Sequence, residues 1–223
     1  MSAHCVNGPS RFAVRGRCYD REPQLPARPD TRRLPRWTIA ALVTLLLALA
    51  TWQLASATWI HAKAALAQHL IAAAWDRTKS GGAARPWPGA DMQPLARLTV
   101  PAHGVRLHVL AGTSGRSLAF GPGHVAGTAL PGTDGNSVIV AHRDTHFAFL
   151  KDLHGDEEIA VEDSRGRTTR YRVREVAVVD KHATRLLDAA DSAQLTLITC
   201  WPFDAVQPGS AQRYVVIADR IGV

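Results

Sequence analysis

The sequence predicts an all-β domain, a single closed barrel or sandwich of seven to eight short strands, behind one membrane-spanning helix. Two textures carry that expectation. Residues 37–60, WTIAALVTLLLALATWQLASATWI, run for 24 residues without a charge. From about Leu95 onward the chain breaks into short β-rich runs separated by turn residues, with no internal repeat. Seven or eight such runs in the remaining residues suit one closed all-β domain.

Residues 1–36 hold eight arginines against three acids, which accounts for five of the seven net positive charges of the chain. The basic balance belongs to a tail rather than to a groove, so nucleic acid is not an expected partner. Rich in Arg, Pro and Gly and without periodicity, these residues read as a disordered cytoplasmic tail. The apolar run 37–60 as a helix would be about 36 Å long, enough to cross a hydrocarbon core of ~30 Å. Trp37, Trp52 and Trp59 are candidates for its interfacial belts. Arg28, Arg32, Arg33 and Arg36 precede it, whereas only His61 and Lys63 follow closely, which places the N-terminus in the cytoplasm and the rest of the chain outside. The rival is a cleaved signal peptide with Ala55-Ser56-Ala57 as its exit, but such a peptide has an apolar region of only ~7–15 residues.

Residues 61–94 read as an Ala-rich juxtamembrane helix, ended by Ser80-Gly81-Gly82, and a linker through Pro86 and Pro88 that lifts the domain off the bilayer. Residues 95–223 form the domain. Strands are expected at 98–100, 106–110, 125–128, 137–141, 158–162, 170–180, 194–199 and 213–219, with one helical turn within 147–153. Asp134-Gly135-Asn136 supplies turn chemistry ahead of the run at Val138.

Topology makes the three cysteines unequal. Cys5 and Cys18 precede the span, and Cys200 stands alone on the exported side, where cysteines usually pair. A buried structural thiol is the bland alternative. However, Leu195, Leu197 and Thr199 alternate with Thr196 and Ile198 in a strand that Pro202 must end, so Cys200 lies at its rim. Arg213 opens the next run, and a thiol with a fixed guanidinium suits acyl transfer if a base stands near. His142 ends the apolar run Val138–Ala141 as Cys200 ends its own, and strand ends meet at one rim of a barrel. His124, in Gly121-Pro-Gly-His124, is the reserve base, and Arg143 is the reserve cation. A zinc site of His142, His146 and Cys200 would sit partly in a loop with no second cysteine, so no metal is expected.

Three of these motifs, Ala141-His-Arg-Asp144, Thr196-Leu-Ile-Thr-Cys200 and Arg213-Tyr-Val-Val216, resemble in content and order those of the sortases, cysteine transpeptidases of bacterial cell surfaces. Leu130-Pro-Gly132, Gly135-Asn-Ser-Val-Ile-Val140 and Leu153-His-Gly-Asp-Glu-Glu-Ile159 resemble the landmarks between them, from about Leu95 to Val223. The likeness is to class D sortases and to the proteobacterial branch of the family. It implies a closed seven- to eight-stranded β-barrel in which Cys200 is the nucleophile, His142 the acid/base and Arg213 the oxyanion and substrate stabiliser. Thr199, Trp201 and His124 would contact substrate, and no cofactor is implied. The implied partners are a secreted protein with a C-terminal Leu-Pro-x-Thr-Gly-like signal, an amine acceptor and the inner membrane.

Ala141 replaces the glycine usual before the histidine. Trp201 stands where tyrosine is often found, a change on the acceptor side, and Asp144 is expected as a turn residue. The alternatives are a thiol peptidase in which water takes the acceptor's place, and an inactive membrane-tethered binding module. Leu130-Pro-Gly-Thr-Asp134 mimics a sorting signal, but no apolar span and basic tail follow it, so it reads as a turn.

Overall fold

The computed structural model describes residues 35–222 apart from 206 and 208. The expected tail, with Cys5 and Cys18, therefore lies outside the described residues except for its last two positions. The chain divides into two units, residues 1–50 and 51–223.

A single helix, α1 (Arg36–Gly81), covers both the expected span and the juxtamembrane segment. Leu and Ala, the strongest helix formers, dominate it, and it meets its first glycine at residue 81. In the first unit its leucines are exposed: Leu42, Leu45 and Leu47 are 56%, 57% and 62% exposed. By length and composition α1 is able to cross a membrane.

In the second unit the helix acquires a buried stripe, with Ala67, Ile71, Ala74 and Trp75 recurring at the three- and four-residue spacing of one helical face. Ile71 packs with Met92, Leu110, Trp87 and Phe120, and the Trp75 ring lies 6.2 Å from that of His108. Gln68 donates to the Phe120 carbonyl at 2.7 Å, and Lys79 pairs with Glu162, which also takes Arg97. The expected spacer over 85–89 thus does not stand free. Trp87 meets Phe120 edge-on at 5.4 Å, and Ala90 and Met92 are each only 2% exposed. Apolar residues at 71, 75, 87 and 92 give this segment a surface to bury, and burial of one such side chain is typically worth about 1.5–3 kcal/mol.

Eight strands follow: β1 (Pro94–Val100), β2 (Val105–Ala111), β3 (Gly123–His124), β4 (Asn136–Val140), β5 (Glu158–Asp163), β6 (Thr168–Asp180), β7 (Gln194–Trp201) and β8 (Gln212–Arg220). They close into a barrel in the order β1-β2-β3-β4-β7-β8-β6-β5, with β2–β3 and β4–β7 the parallel pairs. The inward side chains Leu98, Ile139, Ile159, Tyr171, Leu195, Leu197 and Val216 form one core.

The strand expected at 125–128 is instead a turn in which Thr128 donates to the Val125 carbonyl, because Gly127 adopts φ +87° and cannot continue a ladder. The sorting-signal mimic is likewise a turn. Thr133 donates to the Leu130 carbonyl, and Gly132, at φ +87°, gives its amide to the Tyr171 hydroxyl.

Candidate active site

The site is built by register. In the antiparallel β7–β8 pair, Cys200 stands directly opposite Arg213. Opposed residues of such a pair have Cα atoms about 4.5–5.5 Å apart and project from the same face. Leu195, Leu197 and Thr199 are buried at 0%, 0% and 2% exposure and face the core, so Cys200 and Arg213 face outward, and both are half-buried.

β4 runs parallel to β7 with Val140 beside Ile198. The pairing persists beyond the strand, since the Ala141 amide donates to the Ile198 carbonyl at 3.2 Å. From the other side the Thr199 hydroxyl donates to the Ala141 carbonyl at 2.8 Å. Continuing this register sets His142 level with Cys200. His142 is exposed, and its carbonyl accepts from the Phe147 amide, so it opens a turn instead of extending the strand.

The structure thus brings the three expected catalytic residues to one end of β4, β7 and β8. Trp201 follows the thiol on the opposite face, stacked on Tyr214 at 5.6 Å and edge-on to Phe203 at 5.7 Å. With Lys151 and Asp204 these aromatics line a cavity of about 640 Å³ at the barrel mouth. Partial burial, and secondarily Asp152, push the Tyr214 phenol up.

Two expected substrate contacts are placed differently. The Thr199 hydroxyl is committed to the Ala141 carbonyl inside the wall, so it links the thiol's strand to the histidine's. His124 is 5% exposed on β3, and its Nε2 is engaged by the Ala129 carbonyl at 2.8 Å and the Thr128 hydroxyl at 3.1 Å. Asp144 is exposed. Burial, and after it the neighbouring His142, hold the His146 imidazole below its ordinary value of 6.5.

Two polar residues shape the surroundings without any clear sequence signal. Asn136 donates its amide to the carbonyls of Leu186 and Asp188 while its oxygen accepts from Thr196. That network holds the β6–β7 loop over the outer face of β4 and β7. The Arg143 guanidinium reaches the loop after Cys200, where Nη2 donates to the carbonyls of Ala205 at 2.7 Å and Gln207 at 3.1 Å. Arg213 meets the same loop with Nη1, which donates to the carbonyls of Ser210 and Gln212, each at 2.9 Å.

Comparison with known proteins points in one direction. The family model described as the sortase domain matches residues 98–221. Over 148 residues the chain is 29% identical to sortase D of Bacillus subtilis (strain 168), covering 66% of this chain and 72% of that one. Among solved structures it is similar to sortase A from Corynebacterium diphtheriae, with 32% identity, a TM-score of 0.54, and coverage of 60% of this chain and 64% of that one. It is also similar to sortase C-1 from Actinomyces oris, with 31% identity, a TM-score of 0.52, and coverage of 58% and 76%. The chain therefore spans slightly less than two thirds of the C. diphtheriae chain.

Proposed function

The chain belongs to the sortase family, whose members are cysteine transpeptidases, and we propose that it is a membrane-anchored enzyme of this kind. It cleaves a Leu-Pro-x-Thr-Gly-like sorting signal through a thioester on Cys200 and transfers the acyl group to an amine. The observation that carries this reading is the register: Cys200 opposite Arg213, with His142 one residue past an Ala141 that is tied to β7.

In this reading the signal lies along the outer face of β4 and β7 with its threonine carbonyl carbon at Cys200 Sγ. As the thiol attacks, its proton passes to His142, the C–S bond forms and the carbonyl electron pair moves onto oxygen. The Nε and Nη2 donors of Arg213, which Nη1 leaves available by holding the loop, stabilise that oxyanion with charge-assisted hydrogen bonds. Protonated His142 gives its proton to the departing glycine nitrogen as the C–N bond breaks. The incoming amine then attacks the thioester and loses a proton to the same imidazole. The amide is released and Cys200 is regenerated.

Residues 37–60 serve as the membrane anchor, with residues 1–36 on the cytoplasmic side and the barrel exported. The length and exposed leucines of α1 support this, as does the cluster of arginines before it. The partners are a secreted protein bearing the signal and an amine acceptor.

The test is mass spectrometry of the full chain in detergent after incubation with a Leu-Pro-x-Thr-Gly peptide, with and without a primary amine. An acyl adduct on Cys200 that the amine converts to an amide product is expected. Acid alone, even with amine in excess, identifies a peptidase, and no adduct identifies an inactive module. Cleavage by Cys200→Ala would falsify the nucleophile assignment.

A further inference from the structure

We propose that Arg143 is a positioning residue that ties the β7–β8 loop to the His142 turn and thereby shapes the side of the site from which the amine arrives. The guanidinium leaves the residue directly after His142 and crosses to the loop directly after Cys200 and Trp201. There one nitrogen takes two carbonyls, those of Ala205 and Gln207. The far end of the same loop is held by Arg213 through Ser210 and Gln212. Two guanidiniums, one from the histidine's turn and one from the arginine's strand, thus fix the same connection from opposite ends. Arg143 Nη1 is buried, with no hydrogen-bond partner among the described residues. Burial of a guanidinium nitrogen marks this side chain as more than a solvated surface charge.

Geometry assigns the tie to the acceptor side. The acyl part of a bound signal runs upstream of Cys200 along β4 and β7, towards a cavity of about 200 Å³ that includes Asn136, Thr196 and Arg185. Whatever leaves or arrives on the nitrogen side of the scissile carbonyl must pass beyond the strand ends. The elements present there are the His142 turn and the β7–β8 loop. Releasing one from the other should perturb capture of the amine more than attack by the thiol.

The catalytic half of this inference rests on the transpeptidase reading, and the structural half does not. Arg143→Ala and Arg143→Lys are compared with the parent as full chains in detergent; the lysine variant keeps the charge but not the planar fork. Hydrogen–deuterium exchange is read at the peptide carrying Ala205 and Gln207. Exchange roughly tenfold faster in both variants is expected, with melting temperatures of the barrel little changed, from the loss of local protection. Unchanged exchange overturns the tie, whether or not the protein proves to be a transpeptidase.

In the second arm, thioester formation on Cys200 is expected within about threefold of the parent, while the ratio of amide to acid falls about tenfold and the KM for the amine rises. Equal loss in both steps, or an unchanged ratio, overturns the positioning role. If the parent itself forms no thioester, the transpeptidase reading fails and the exchange measurement still decides the tie.

Discussion

Arg213 commits Nη1 to the carbonyls of Ser210 and Gln212, and its register opposite Cys200 puts the side chain on the thiol's face. The proposed oxyanion role, added to these observed contacts, makes its replacement informative. Losing one oxyanion donor typically costs ~10²–10³ in rate, about 2.7–4 kcal/mol of transition-state stabilisation. Arg213→Ala should therefore slow single-turnover acylation by at least that factor at saturating peptide. Arg213→Lys should recover little, because an ammonium cannot hold the loop and reach the oxyanion at once. Thermal unfolding of the same variants separates chemistry from packing: near-parental melting with slow acylation is the expected pair of results. Parental acylation by Arg213→Ala would make it a wall residue. Arg143, the reserve cation in the sequence, would then be the next to test, although its Nη2 is held by the carbonyls of Ala205 and Gln207.

At the scale of elements, the C-terminal turns of α1 belong to the barrel's own packing. His108 shows the consequence. Its ring sits beside Trp75, and burial, followed by the charge of Arg97 and with Arg106 acting in the same sense, lowers its pKa below 6.5 despite opposing contributions from Asp76 and Glu162. The folded state thus favours the neutral ring. That contribution to stability is complete above about 6.5 and is lost as pH falls through the lowered folded-state value. Melting measured from pH 7.5 to pH 5 should drop, and His108→Phe, which cannot titrate, should flatten part of the drop. His146, lowered in the same sense, keeps the remainder. An identical slope in His108→Phe would mean that the Trp75 contact is not where the pH dependence lies.

The alternation of Leu195, Leu197 and Thr199 made β7 readable, and the strand-end positions of Cys200, His142 and Arg213 made their meeting at one rim, the candidate site, readable. β3 was misplaced because two paired residues leave no period to detect and Gly127 turns the chain where a strand was expected. The docked face of α1 was unreadable because Ile71 and Trp75 look like more apolar helix until Met92, Leu110 and Phe120 are beside them. The roles of Thr199 and Arg143 were hidden for a different reason: their acceptors are backbone carbonyls, which carry no residue signature.

For the whole molecule, the polarity of the chain across a bilayer decides whether the proposed chemistry meets a secreted protein at all. The charge bias is large on one side of the 24-residue run, with Arg28, Arg32, Arg33 and Arg36 before it and only His61 and Lys63 close behind. Positive charge near a span end is retained in the cytoplasm, and orientation follows the difference between the flanks. The leucines in the first part of α1, Leu42 and Leu45 among them, are exposed, unlike the buried stripe at Ile71 and Trp75. Orientation also bears on the thiol, because in the proposed topology Cys200 would be exported with no cysteine partner within residues 61–223 to oxidise with. Protease added to right-side-out membrane vesicles should therefore degrade a C-terminal tag and spare an N-terminal one, with the converse in inverted vesicles. Replacing Arg28, Arg32, Arg33 and Arg36 with glutamine while adding lysines after residue 61 should raise the inverted fraction. Protection of the C-terminal tag in right-side-out vesicles would put the barrel in the cytoplasm and remove secreted proteins from its possible substrates.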